Sequence, residues 1–352
     1  MIRFFLITAL LLTSIALKAQ TCQDLLIAVS EDNISKVKTL LKTVNPNCSY
    51  NGHLQPRTPL GMAARNGNLI IGKLLVEAGA RISYRYSSDA SALMIAARKG
   101  DYNFAKFLVD KKANVNKKIS GDGTPLIAAA RGNNPKIVKL LLERGANPNI
   151  TVRGDGSPLI SAVRKNNPEI VKLLLESKAN PNTKVRGDGS PMISVGRSGN
   201  AEILRLLISH GGNIDEETIG DGTALIRASA RGNLGMVEVM IEMGANVNKE
   251  SDGDGNPLIM AAKHGHLDVV KLLIKKGAEI NAHVVGDETP LIGASWSGHL
   301  DVVKYLVENG ADVNKTVRDS YSIISEKRNA LKMAKRGKHQ DVVAYLISKG
   351  AK

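Results

Sequence analysis

Asp252, Asp254 and Asn256 form the stretch of this sequence best suited to chemistry, because their alternating oxygen-bearing side chains resemble the start of a calcium-binding loop. Such a loop needs a glycine at its sixth position and a bidentate glutamate at its twelfth. The sequence has Pro257 and Lys263 at those two positions. Related stretches elsewhere in the chain keep only one of the aspartates. The pattern therefore favours a turn-forming aspartate over a calcium ligand.

Other sequence patterns associated with catalysis are missing. The chain has no glycine-rich phosphate loop followed by lysine, no His-Glu-x-x-His and no Gly-x-Ser-x-Gly. His264 and His266 are close enough in sequence to suggest a metal site, but they fit better as part of a link between two helices. We therefore expect a protein that is not an enzyme, with no cofactor and no metal.

The stretch that contains Asp252 belongs to a pattern that repeats every 33 residues. The sequence GDGTPLIAAARGN at residues 121–133 returns as GDGSPLISAVRKN at residues 154–166. Further copies begin at Gly187, Gly220, Gly253 and Gly286. A short fixed period predicts one elongated array of repeats rather than several separate domains.

The first 19 residues have the features of a secretory signal peptide. Met1-Ile2-Arg3 is a positively charged start, residues 4–17 are apolar or hydroxyl-bearing, and Ala19 is suited to cleavage before Gln20. The stretch is too short to span a bilayer comfortably, and an uncleaved anchor is the alternative. We expect an exported protein, periplasmic or secreted, with no transmembrane segment after cleavage.

Each repeat carries the signals for two short helices. A helix-capping residue stands before the first helix: Thr58, Ser91, Thr124, Ser157, Ser190, Thr223, Asn256 and Thr289. Glycine ends the second helix in most repeats: Gly79, Gly145, Gly211, Gly244, Gly277, Gly310 and Gly350. Lys112 and Lys178 take this position in two repeats, where a left-handed backbone would cost roughly 1 kcal/mol. The glycine-rich stretches between helix pairs predict hairpin-like connections.

This helix, helix and hairpin unit resembles the ankyrin repeat. The resemblance rests on the Thr-Pro-Leu starts, on Gly265-His266 and Gly298-His299, and on endings such as Gly145-Ala146-Asn147-Pro148-Asn149. It implies an all-α repeat solenoid, an array of helix-turn-helix units joined by β-hairpin-like loops, and a non-catalytic role in protein binding. The sequence departs from the family pattern in two ways. In six repeats an isoleucine replaces the histidine that usually follows Thr-Pro-Leu, and Gly-Asp-Gly replaces the usual turn.

The repeat starts divide the chain into four parts. We predict a signal peptide at residues 1–19, an N-terminal capping helix pair at 20–57, eight ankyrin repeats at 58–328 and a C-terminal capping repeat at 329–352. The interval before the last unit is 40 residues rather than 33, which predicts an extended loop in the eighth repeat.

Function must then come from the surface. The formal net charge of +15 favours an acidic partner, although the charge could also serve only to keep a long surface soluble. We expect a monomer that binds another protein, with no small-molecule substrate. The alternative is a polyanion, either nucleic acid or acidic glycan. Nucleic acid is the weaker case, because only 3% of residues are aromatic and they do not alternate with the basic ones.

Two sets of exposed positions are candidates for the partner-binding site. The first, the groove column, lies at the end of each first helix, on the concave face implied by the resemblance: Arg65, Arg98, Arg131, Arg164, Arg197, Arg231, Lys263 and Trp296. The second set lies at the hairpin tips: Tyr84, Arg85, Tyr86, Lys117, Lys118, Arg153, Lys184 and Arg186. We expect the groove column to contribute more, because glycine-rich tips would have to be ordered first. The alternative for both sets is a solvated face.

Cys22 and Cys48 are the only cysteines, and they flank the predicted N-terminal helix pair. A helical hairpin brings its two ends together, and an exported protein enters an oxidising compartment. The sequence therefore predicts a disulfide between them.

Overall fold

The structure, a computed structural model, describes residues 22–49, 58–83, 90–218, 220–284, 288–318 and 327–352. The predicted signal peptide lies outside these residues. The described residues form twenty helices in ten consecutive pairs. The first helices are α1 (residues 22–30), α3 (Pro59–Asn66), α5 (Ala92–Lys99), α7 (Pro125–Arg131), α9 (Pro158–Arg164), α11 (Pro191–Ser198), α13 (Ala224–Ala230), α15 (Pro257–Lys263), α17 (Pro290–Ser297) and α19 (Ala330–Arg336). The second helices are α2 (Ile34–Leu40), α4 (Leu69–Glu77), α6 (Tyr102–Asp110), α8 (Pro135–Glu143), α10 (Pro168–Glu176), α12 (Ala201–Ser209), α14 (Leu234–Glu242), α16 (Leu267–Lys275), α18 (Leu300–Glu308) and α20 (Gln340–Ser348).

The helix boundaries follow the capping signals in the sequence. All eight predicted capping residues accept a hydrogen bond from a backbone amide in the first turn; the Thr124 hydroxyl, for example, accepts from the Ile127 amide at 3.2 Å. The glycines predicted to end the second helices all have positive φ. Lys112 and Lys178 adopt the same left-handed backbone, with φ of 62° and 66°. The predicted strain at these two lysines therefore has its structural basis.

The chain divides into two compact units. Unit 1 comprises Met1–Ala179 and Val185–Asp188, and unit 2 comprises Asn180–Lys184 and Gly189–Lys352. In unit 1, α3, α5, α7 and α9 pack successively against one another, and so do α4, α6, α8 and α10. In unit 2 the same holds for α11, α13, α15, α17 and α19, and for α14, α16, α18 and α20. Small side chains allow this approach, since Ala128, Ala129 and Ala130 of α7 are fully buried. No helix among the described residues is long and apolar enough to cross a membrane.

Within each unit, a ladder made mostly of asparagine side chains joins successive repeats. In unit 1 the Asn116 amide donates to the Gly145 carbonyl at 2.9 Å, and its oxygen accepts from the Asn147 backbone amide at 2.7 Å. In unit 2, Asn182, Asn248, Asn281 and Asn314 make the same pair of bonds to the repeat that follows. Each asparagine therefore caps the end of the second helix in the next repeat and fixes the distance between the two repeats.

The connections between helix pairs have fewer backbone pairings than full β-hairpins. Four of them close through a single bridge within five residues: Ile119 with Gly123, Val152 with Gly156, Thr218 with Gly222 and Ser251 with Gly255. The eighth repeat carries the only paired strands among the described residues, β1 (Val317–Arg318) and β2 (Lys327–Arg328), which are antiparallel. The extended loop predicted from the 40-residue interval therefore begins and ends in this sheet, although its tip lies outside the described residues.

Cys22 and Cys48 form a disulfide in the structure, with Cα atoms 5.9 Å apart. We predict that the double substitution Cys22→Ser/Cys48→Ser lowers the free energy of unfolding of the N-terminal helix pair by ~3 kcal/mol, because the bond restricts the unfolded chain. Urea unfolding and hydrogen exchange of residues 22–49 measure this effect. Reductant should destabilise the native protein but leave the double variant unchanged. A native protein indifferent to reductant would contradict the prediction.

Asp215 occupies an asparagine position of the ladder. Its carboxylate accepts from the Asn246 amide at 3.0 Å, but a carboxylate cannot donate to the Gly244 carbonyl as the ladder asparagines donate to the equivalent carbonyls. We predict that Asp215→Asn stabilises the protein by about 1 kcal/mol in urea unfolding, the value of one hydrogen bond. Asp312→Asn is the control, because the Asp312 side chain accepts from the Asn314 amide and has no ladder carbonyl to donate to. Equal effects of the two substitutions would refute the explanation.

Candidate partner-binding surface

The arginines of the groove column stand in the last turn of the first helices. In unit 1 these are Arg65 on α3, Arg98 on α5, Arg131 on α7 and Arg164 on α9. Their position follows from the repeat, since each lies seven residues after the capping residue that starts its helix. Cationic side chains at a helix C-terminus also interact favourably with its dipole.

Three of these arginines pair with the aspartate of the next Gly-Asp-Gly turn. Arg131 contacts Asp155 Oδ1 at 2.7 Å through Nη1 and donates to the Asp155 carbonyl at 2.6 Å through Nη2. Arg164 makes the same two contacts with Asp188, at 3.4 and 2.6 Å. Arg98 contacts Asp122 at 3.1 Å. We call this recurring contact the arginine clamp.

The clamp continues in unit 2 with one change of residue. Arg197 pairs with Asp221, but alanine at position 230 interrupts the groove column. Arg227, one turn earlier on α13, takes over: it contacts Asp254 at 2.7 Å and donates to the Asp221 carbonyl at 2.5 Å. Arg227 thus replaces the groove-column arginine in the clamp at the repeat where position 230 is alanine.

The clamp fixes the hairpins to the helices. The carboxylates of Asp155 and Asp188 are only 3% and 8% exposed. Asp188 also accepts from the Gly154 amide at 3.0 Å, which ties two successive hairpins of unit 1 together. These ion pairs and backbone bonds attach the glycine-rich turns of unit 1 to the helices, which favours tips that are ordered before a partner binds.

The clamp also changes what the groove column can offer a partner. The side chains of Arg98 and Arg164 are 47% and 42% exposed, so they remain accessible, but each charge is already balanced by a carboxylate, Asp122 or the buried Asp188. Arg231 donates to the Arg197 carbonyl. Lys263 is half-buried, and Trp296 at the end of α17 is 42% exposed. The binding role of the column stays a prediction, with its arginines now also supporting the fold.

The tip cations of unit 1 are differently placed. Lys118, Arg153 and Arg186 are exposed, and none of them forms an ion pair within the described residues. Lys117 is half-buried beside Lys118. Tyr84, Arg85 and Tyr86 lie outside the described residues. The tips of unit 1 therefore display positive charge that the aspartates beneath them, already bound to the clamp arginines, do not offset.

The charge at the hairpin tips changes from positive to negative in unit 2. Lys184 lies 3.6 Å from Glu216, a carboxylate that is only 7% exposed. Burial raises the pKa of Glu216, while Lys184 and the Ser190 hydroxyl oppose the increase. Glu250 and Asp252 are exposed in the next hairpin. The sequence shows the same division, since residues 22–179 contain 24 Lys and Arg against 12 Asp and Glu, whereas residues 180–352 contain 22 against 21.

The histidines considered as metal ligands have structural contacts instead. His266 Nε2 lies 3.1 Å from the Ala230 carbonyl, and His264 Nδ1 lies 2.9 Å from the Met260 carbonyl. His339 makes the equivalent contact with the Trp296 carbonyl at 3.0 Å. These rings cap the ends of first helices. Among the described residues no group of three or more His, Cys, Asp or Glu side chains could hold a metal ion.

Arg131 and Asp155 provide a direct test of the clamp. We predict that the double-mutant cycle Arg131→Ala and Asp155→Ala gives a coupling energy of roughly 1 to 3 kcal/mol, because the pair is close and its carboxylate is buried. Lys172 and Glu176, 3.9 Å apart and 62% and 54% exposed, form the control pair. Their coupling should stay below about 0.5 kcal/mol. Urea unfolding measures both cycles, and equal coupling energies would contradict a structural clamp.

Comparison with known protein families agrees with this architecture. The family model described as ankyrin repeats (3 copies) matches residues 25–119, 117–185, 248–317 and 288–352. The model for the single ankyrin repeat matches residues 221–252. None of the curated proteins matches the chain. Since the family matches cover most of its length, the chain belongs to the ankyrin-repeat family.

Proposed function

We propose that this protein is a non-catalytic scaffold that binds an acidic protein partner outside the cytoplasm through the basic face of unit 1. Ankyrin repeats generally mediate protein–protein interactions, and proteins built from them are typically not enzymes. The basic face comprises the tip cations Lys117, Lys118, Arg153 and Arg186 together with the groove-column arginines of unit 1.

The observation that carries the proposal is the position of the tip cations on clamped hairpins. Arg153 and Arg186 each stand directly before a Gly-Asp-Gly turn whose aspartate is held by Arg131 or Arg164. A surface that is already ordered loses little conformational entropy when a partner docks. Its free positive charge attracts acidic partners and disfavours basic ones.

The groove column contributes in two ways under this proposal. Its arginines hold the tips in place, and their exposed edges are available to carboxylates of the partner. In unit 2, Lys263 and Trp296 supply a further contact, because an exposed tryptophan on a packed helix is suited to act as an anchor. The protein acts as a monomer in this account.

The proposed location rests on the N-terminal sequence. Residues 1–19 have the pattern of a secretory signal peptide. The disulfide between Cys22 and Cys48 suits an oxidising compartment, periplasmic or extracellular.

A polyanion such as nucleic acid or acidic glycan is the second candidate, favoured by the same excess of positive charge. It predicts binding that tolerates many sequences and weakens steeply with salt. The scarcity of aromatic residues gives little support for base stacking.

Affinity capture from an extracytoplasmic extract tests the proposal. We predict that the native protein retains an acidic protein, and that Lys118→Glu/Arg153→Glu/Arg186→Glu weakens its binding on the order of 30-fold, because three surface charge contacts contribute about 2 kcal/mol together. The control is Lys73→Glu/Lys136→Glu/Lys139→Glu, which changes the net charge equally at exposed positions of α4 and α8. Titration of the captured protein against all three forms gives the affinities.

Two results would contradict the proposal. Equal loss of binding in both triple variants would show that only net charge matters. Capture of nucleic acid or glycan in place of an acidic protein would favour the second candidate.

A further inference from the structure

We infer that the partner is recognised as an extended acidic segment whose carboxylates recur every third residue and meet Lys118, Arg153 and Arg186 in turn. This inference rests on the proposed function and adds the chemistry and the spacing of the bound segment. It follows from the distance between successive tips, from the polarity of the surface around them and from the rigidity that the clamp provides.

The spacing comes from the stacking of the repeats. Arg153 and Arg186 occupy the same position in successive turns, and the 3.0 Å bond from the Gly154 amide to Asp188 shows that these turns are direct neighbours. Packed helices lie about 8 to 10 Å apart, so equivalent side chains on adjacent repeats are separated by about 10 Å. An extended chain advances about 3.3 Å per residue, so three residues match one repeat.

Lys118 continues the row in the preceding hairpin. It lies two residues before Ser120, which is the residue equivalent to Arg153 and Arg186. The long and flexible lysine stem can reach over this offset. Three successive hairpins therefore each present one exposed cation that forms no ion pair within the described residues, and an Asp-x-x-Asp-x-x-Asp segment would pair all three.

The surface around the tips favours an extended segment over a helix. A bound amphipathic helix needs an apolar groove for one of its faces. The exposed residues within two positions of the tip cations are Asn116, Ser120, Thr151, Gly154, Lys184 and Gly187, which are small, polar or charged. Such a surface offers charge and hydrogen bonds, both of which an extended acidic chain can use at every third residue.

The clamp makes the spacing selective. Arg131 and Arg164 hold the turns that carry Arg153 and Arg186 through two contacts each. Fixed cations discriminate between ligands with matched and mismatched spacing, whereas mobile ones would adapt to either. The inference therefore depends on the same ion pairs that order the hairpins.

Synthetic peptides test the inference without knowledge of the natural partner. Four peptides of ten residues contain the same four Asp, three Ser and three Gly, with Asp at every third position, at every second position, in one block, or in two pairs separated by the neutral residues. Fluorescence anisotropy with the full chain should show the three-residue spacing binding roughly tenfold more tightly than the others. Arg153→Glu/Arg186→Glu should abolish this preference, and Lys136→Glu/Lys139→Glu should preserve it.

A variant that removes one clamp arginine separates the effect of tip spacing from the effect of charge on peptide binding. Arg164→Gln, confirmed as folded by circular dichroism, should still bind the acidic peptides but should reduce the preference for the three-residue spacing, because the Arg186 turn is released. Equal affinity of the native protein for all four peptides, or no binding of any of them, would overturn the inference. Either result leaves the proposed function standing if capture still retains an acidic protein through the tip cations.

Discussion

Each helix pair of this protein depends on its neighbour, because a pair of helices seven to nine residues long cannot bury its own apolar face. The contact between neighbours is specified by more than apolar area. Asn116 and its equivalents donate to the end of one second helix and accept from the backbone that follows it. His266 and Asn134 reach back to first-helix carbonyls of the preceding repeat, at 3.1 and 2.7 Å. Hydrogen bonds at both ends of the helix pair thus set the distance between successive repeats. The small core residues allow that distance to be short.

The arginine clamp extends this dependence to the hairpins and connects the fold to its proposed role. In the family pattern a histidine after Thr-Pro-Leu ties neighbouring hairpins, and this chain has isoleucine there. The clamp supplies the missing attachment, since Arg131 and Arg164 bind the buried aspartates of the turns. Because these arginines bind the turn aspartates, Lys118, Arg153 and Arg186 at the tips of unit 1 form no ion pair within the described residues. Unit 1 is positive at its tips because the turn aspartates neutralise the helix arginines and not the tip cations.

Local signals predicted most of the fold. The capping residue Thr124 and the left-handed Lys112 could be recognised from the sequence because each depends on its immediate neighbours. The disulfide could be predicted because a helical hairpin returns the chain to its start. The sequence did not predict the clamp, because each of its two residues is explained without the other. Asp155 is a typical turn residue, and Arg131 is a typical surface residue. The available signal was their constant separation of 24 residues, together with the appearance of Arg227 where alanine interrupts the column.

The central claim is that the clamped hairpins of unit 1 form the partner-binding surface. Amine-reactive labelling of the protein, alone and with its captured partner, tests it most directly, because lysines on different faces are read in one experiment. The account predicts that the partner protects Lys117 and Lys118 at the tips, while Lys136 and Lys139 on α8 stay as reactive as in the free protein. Protection of the α8 lysines with unchanged labelling at the tips would contradict it.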